Sequence, residues 1–150
     1  MNDTTDHGPK HAKEIDSRLA EGRKRVLITG SRDWPNQPAI AGALLAQWLE
    51  WGKPPMTIVH GGATGADSMA EGVLDPKLRA DGTLKVEVHP AAWDVHGRAA
   101  GPIRNAQMVS LGADLCMAFI KDNSRGATNC LELAEAAGIP VVVYRLDTHS

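Results

Sequence analysis

Met56-Thr57-Ile58-Val59-His60-Gly61-Gly62-Ala63-Thr64-Gly65-Ala66-Asp67 is the stretch on which the fold turns. A short apolar run breaks into glycines and then into a small-residue segment with helical character as far as Val73. A buried strand feeding a helix through glycines presents backbone N–H donors at its tip, next to the positive end of the helix dipole. That arrangement suits a phosphate or another anion, and glycine lets the main chain approach it closely.

The same alternation repeats on either side. Arg25 to Thr29 reads as a strand ending at Gly30. Asn36 offers an N-cap for a helix carrying Ile40, Leu44, Leu45, Trp48 and Leu49, which Gly52 and Pro54-Pro55 terminate. Leu74 to Gly82 reads as a surface loop with turn signals at Asp75-Pro76 and Asp81-Gly82. Leu84 to Val88 is a third strand, Gly97 to Ser110 a helix, and Asp114 to Ile120 a fourth strand. Thr128 to Ala137 is a helix, and Pro140 to Tyr144 a fifth strand. Strands and helices in this order imply βαβ units, and so an α/β, Rossmann-like three-layer sandwich around a mainly parallel sheet of about five strands. Its ligand edge lies at the carboxyl ends of the strands. The loops expected there carry Gly30 to Trp34, His60 to Asp67, His89 to Asp94 and Asn123 to Thr128.

Composition sets the bounds. In 150 residues, 43% hydrophobic and 23% charged with a formal net charge of -2, there is room for one domain and no bulk basic field for nucleic acid. The reading divides the chain into a polar N-terminal tail, 1–22, and a domain over 23–150. The tail has no signal-peptide core, and no stretch is apolar for long enough to cross a membrane. With Cys116 and Cys130 as the only cysteines, both read as buried and reduced, the expected location is cytoplasmic. The spacing of His60, Asp67, His89, Asp94 and His96 matches no zinc signature, so no metal site is expected. Mg²⁺ could still accompany a polyphosphate ligand. Trp48 and Trp51 read as core or interface residues, and a homo-oligomer is compatible with such a helical face.

Residue chemistry gives the candidate site. Gly30, Ser31, Gly61, Gly62, Ala63 and Gly65 form the expected phosphate cradle, with Arg32 and Arg104 as guanidinium clamps. Asn105 can read a sugar hydroxyl or hold a loop. Asp67 reads either as a helix-start acid or as a group that bonds ribose or takes part in catalysis. Trp34 and Trp93, in rim loops, can stack on a base or pack onto the core. Arg98 and Arg125 read as surface residues.

Four ordered motifs carry a resemblance: Gly30-Ser31-Arg32-Asp33-Trp34; His60-Gly61-Gly62-Ala63 with Gly65-Ala66-Asp67; Pro90-Ala91-Ala92-Trp93-Asp94; and Ala100 through Met108, with Arg104-Asn105. In this the chain resembles the YspA-type branch of the SLOG superfamily over roughly Arg25 to Arg145. The resemblance implies a Rossmann-like domain that binds a nucleotide or nucleotide-derived molecule of the ADP-ribose or NAD kind, as a sensor or processing component. Two alternatives come with it. Some relatives are phosphoribohydrolases that activate cytokinins, and DprA-like relatives hold single-stranded DNA, with an Arg-Asn pair similar to Arg104-Asn105. The resemblance also places Gly126 and Thr128 in a second ligand-binding motif. There the chain departs from the hydrolases, since Gly126-Ala127-Thr128-Asn129-Cys130 contains no acid before Glu132. Thr64 stands where relatives often carry a basic residue.

Overall fold

The computed structural model describes residues 22–148. All of the N-terminal tail except Gly22 lies outside them. Five parallel strands, β1 (Lys24–Gly30), β2 (Met56–His60), β3 (Leu84–Val88), β4 (Leu115–Lys121) and β5 (Val141–Leu146), form one sheet in the order β3-β2-β1-β4-β5. Between them run α1 (Gln37–Glu50), α2 (Ala66–Gly72), α3 (Pro76–Ala80), α4 (Trp93–His96), α5 (Ala100–Ser110) and α6 (Arg125–Ala136).

The period of two in a strand sends alternate side chains to opposite faces and builds two cores. Val26, Ile28, Leu115, Met117 and Phe119 pack with Ile40 and Leu44 of α1 and Ala66 and Ala70 of α2. Leu27 and Cys116, on the other face, pack with Met108 and Val109 of α5 and Cys130 and Ala134 of α6. Every residue of β2 is buried, as a parallel strand covered on both faces requires. The expected α/β three-layer sandwich is the fold observed. Trp48 and Trp51 pack against the first core, with the Trp48 indole N–H donating to the Pro54 carbonyl at 2.9 Å.

Several expected boundaries change, among them the starts of α2, at Ala66 rather than Ala63, and of α6, at Arg125 rather than Thr128. The segment expected as a loop from Leu74 to Gly82 contains α3, because Asp75 caps it by accepting from the Lys77 amide at 2.8 Å and Pro76 takes the first helical position. The helix expected over Gly97 to Ser110 begins only at Ala100. It is preceded by α4 and a 3₁₀ turn, Gly97–Ala99, that brings the chain over the carboxyl edge of the sheet.

Candidate functional site

Strand order places a crevice between β1 and β4, where the chain leaves toward α1 on one face and α6 on the other. Open parallel sheets bind ligands at such a switch point. A cavity of about 580 Å³ lies there. Its floor is Ile28, Thr29 and Gly30 at the end of β1. Arg32 and Asp33 follow in the next loop, and Ala63 and Asp67 come from the β2–α2 turn. Trp93, Arg98, Arg104 and Asn105 close a second side, and Ser124 to Ala127 with Asn129 a third.

Four arginines converge on this cavity: Arg32, Arg98, Arg104 and Arg125. Among the described residues none of them forms an ion pair with a carboxylate. Arg32 instead lies over the Trp93 ring, 5.5 Å from its centroid. Ser124 makes no side-chain cap to α6, so the amide donors of that first turn remain for solvent or a ligand. Guanidinium groups without a carboxylate partner beside a helix start give this crevice a positive lining. Arg98 and Arg125 are exposed, as read from sequence, and also line it. Arg125 stands in the Asn123 to Thr128 loop expected at the ligand edge, whereas the place of Arg98 is revealed only by the path of the Trp93–Ala99 segment.

The glycine turn does something other than what its sequence suggests. Asp67, only 5% exposed, folds its carboxylate back so that Oδ2 accepts from the amides of Gly61 at 3.1 Å and Ala63 at 3.3 Å. The Gly62 amide donates to His60 Nδ1 at 2.9 Å, which leaves the ring proton on Nε2, 2.9 Å from a Glu71 carboxylate oxygen. The expected phosphate cradle at Gly61, Gly62 and Ala63 is therefore already filled by acceptors of the chain itself. Burial pushes the Asp67 carboxyl above the usual aspartate range, against the opposing pull of the Ala63 and Gly61 amides and of Arg104.

Other candidates prove to be structural. Ser31, fully buried, bridges two strand ends, since the Lys121 amide donates to its Oγ at 2.7 Å and the hydroxyl points back to the Lys121 carbonyl. Gly65 has a φ of +77°, and a side chain there would strike the backbone of Ser31 and Arg32. It lets two loops touch and lies outside the cavity lining. Trp34, expected as a stacking residue, is 5% exposed, set edge-on to Phe119 with its indole N–H on the Asn36 carbonyl. Core packing has taken its faces. Trp93 differs, being 48% exposed and part of the cavity wall.

Arg104 clamps as well as lines. Its Nη1 donates to the carbonyls of Gly61 at 2.7 Å and His89 at 3.2 Å, and its Nε donates to Asn105 Oδ1 at 2.9 Å. Asn105 passes the link on, donating to the Gly126 carbonyl and to Asn129 Oδ1 at 2.9 Å. One chain of hydrogen bonds thus ties the β2 turn through α5 to α6. The hydroxyl of Thr128, an expected ligand contact, is buried without a partner and lies outside the lining residues. Glu132 is exposed on α6. Among the described residues no group of three His, Cys, Asp or Glu side chains could hold a metal ion, and no helix is long and apolar enough to cross a membrane.

Residues 24–72 match the model of the family described as "YspA, cpYpsA-related SLOG family". The chain is 41% identical over 121 residues to the Gene 61 protein of Mycobacterium phage D29, an alignment covering 81% of this chain and 96% of the phage protein. No solved structure matches it.

Proposed function

The chain belongs to the YspA, cpYpsA-related SLOG family, and on that premise we propose that the crevice between β1 and β4 binds a nucleotide-derived small molecule of the ADP-ribose or NAD kind. The observation that carries this reading is the convergence of Arg32, Arg98, Arg104 and Arg125, none paired with a carboxylate among the described residues, on one cavity beside the start of α6. Guanidinium forks match phosphate oxygens, and the half-exposed Trp93 offers a face to a base. The protein acts in this reading as a sensor or processing component for that ligand.

Calorimetric titration with ADP-ribose, NAD, AMP and short single-stranded DNA tests it. Saturable binding of one nucleotide, weakened about tenfold by Arg98→Ala or Arg125→Ala, supports the reading. Binding to DNA alone, falling steeply with salt, moves the protein to the nucleic-acid branch. Nucleotide binding indifferent to both substitutions removes the crevice as the site.

A second reading, hydrolysis of the ligand's glycosidic bond, is favoured by Asp67, a buried acid in the cavity wall whose raised carboxyl suits proton transfer to a leaving base. Release of free adenine from AMP, abolished in Asp67→Asn, tests it.

A further inference from the structure

Asp67 presents a negative wall in a cavity otherwise rich in arginine, and its geometry restricts what can lie against it. We infer that Asp67 is the group through which the crevice recognises ribose: the sugar hydroxyls donate to its carboxylate, so the site selects ribonucleotides over deoxyribonucleotides. This deepens the nucleotide reading above and rests on it.

The carboxylate is fixed before any ligand arrives. Its Oδ2 is held by the Gly61 and Ala63 amides, and the side chain is almost wholly buried in the cavity wall. Its other oxygen, Oδ1, has no hydrogen-bond partner among the described residues and remains an acceptor. A phosphate oxygen is also an acceptor, so it is repelled there and drawn toward Arg98, Arg125 and the first turn of α6. In an adenine nucleotide the groups that can donate to a fixed carboxylate are the sugar hydroxyls and the exocyclic amine of the base. Asn129 favours the hydroxyls. Its Oδ1 is occupied by Asn105 at 2.9 Å, leaving its amide as a donor in the same cavity. A hydroxyl both donates and accepts, so it complements an acceptor and a donor together. The amine of a base, which only donates, does not.

Titration of the full chain with ADP, 2′,3′-dideoxy-ADP and inosine diphosphate tests the inference without any substitution. The expected result is ADP binding at least about tenfold more tightly than the dideoxy compound, with inosine diphosphate close to ADP. In Asp67→Asn the amide oxygen can still accept from Gly61 and Ala63, so the turn is kept while the oxygen facing the ligand is lost. There the preference for ADP over dideoxy-ADP should fall to within about twofold. Equal affinity of the wild-type chain for ADP and dideoxy-ADP overturns the inference and leaves the nucleotide reading standing. Loss of affinity for inosine diphosphate but not for the dideoxy compound means that the carboxylate reads the base, which also overturns it. Failure of all three, and of ADP-ribose, to bind removes the reading and the inference together.

Discussion

The guanidinium of Arg104 lies against the α-carbon of Gly61 and donates to that residue's carbonyl at 2.7 Å. A Cβ at position 61 would fall on the guanidinium atoms, so the glycine makes room for an arginine of the same chain. Gly61→Ala is expected to expel Arg104 from its clamp, cost about 1–3 kcal/mol of stability and weaken nucleotide binding. Gly42→Ala is the control, since nothing lies within 4 Å of that added carbon on exposed α1. It should stabilise by roughly 0.5–1 kcal/mol. Chemical denaturation of both variants checks the pair. A Gly61→Ala protein as stable as wild type would mean the arginine is free to move.

The two rim tryptophans should separate cleanly. Trp34→Ala removes a buried ring packed on Phe119 and is expected to cost about 3–5 kcal/mol. Trp93→Ala, at a half-exposed position, should leave the unfolding midpoint nearly unchanged. It should also weaken nucleotide binding about tenfold through lost stacking. A large stability loss at Trp93 would make it a packing residue instead.

Acid should unlock the β3 edge. Glu87 accepts both ends of the Arg25 fork at 2.9 and 3.0 Å and lies 2.6 Å from the His89 ring. Arg25 first, and His89 second, hold its carboxyl down at about 2, against an ordinary value of 4.5. The unfolded chain therefore binds the proton more readily. The stabilisation is complete above about pH 4.5 and is lost as the pH falls toward about 2. Denaturation across this window should show a slope that Glu87→Gln flattens, and the variant should be less stable at pH 6. An unchanged slope would show that the network contributes nothing.

The cysteines should be silent in the native protein. Burial pushes the Cys116 thiol up to about 12 and the Cys130 thiol up to about 11. At pH 8 about one Cys116 thiol in ten thousand would be ionised even if a reagent reached it. An aromatic disulfide reagent should modify neither until denaturant is added, and then both. Prompt labelling of the native chain would contradict the packing of α6 on β4.

Much of this was legible in the sequence because it depends on local pattern. The five strands follow from short apolar runs bounded by glycine and proline. The crevice edge follows from their alternation with helices; Gly30, Arg32, Ala63 and Asp67 stand in loops expected at that edge, while Arg104 and Asn105 stand out by side-chain chemistry within the helix expected over Gly97 to Ser110. What escaped depends on which groups meet. A glycine turn advertises amide donors, but only the fold shows that Asp67 returns from the following helix to occupy them. Trp34 looks like a rim residue until Phe119 of β4 is set beside it. Arg98 carries no local signal, because its place at the crevice is fixed by how α4 and the 3₁₀ turn approach the sheet, and Arg125, although in a loop expected at the edge, reads locally only as a surface residue. Asp75-Pro76 reads equally well as a turn or a helix start, and Leu78 packing on the first core favours the helix.

The crevice is also divided between two parts of the chain with unequal duties. The first part, 24–72, supplies the frame: β1, β2, the self-bonded turn and one arginine. The second, from Trp93 to Asn129, supplies three of the four arginines and the exposed indole: Trp93 on α4, Arg98 in the 3₁₀ turn, Arg104 on α5 and Arg125 at the start of α6. Substitutions at Trp93, Arg98 and Arg125, which lie outside β1 and β4, are therefore expected to change which ligand is held without disturbing the strands on either side of the crevice. On the nucleotide reading, a single scaffold of this kind can diversify in taste while keeping its shape, and the residues that distinguish one member from another should be sought among the exposed positions after 92.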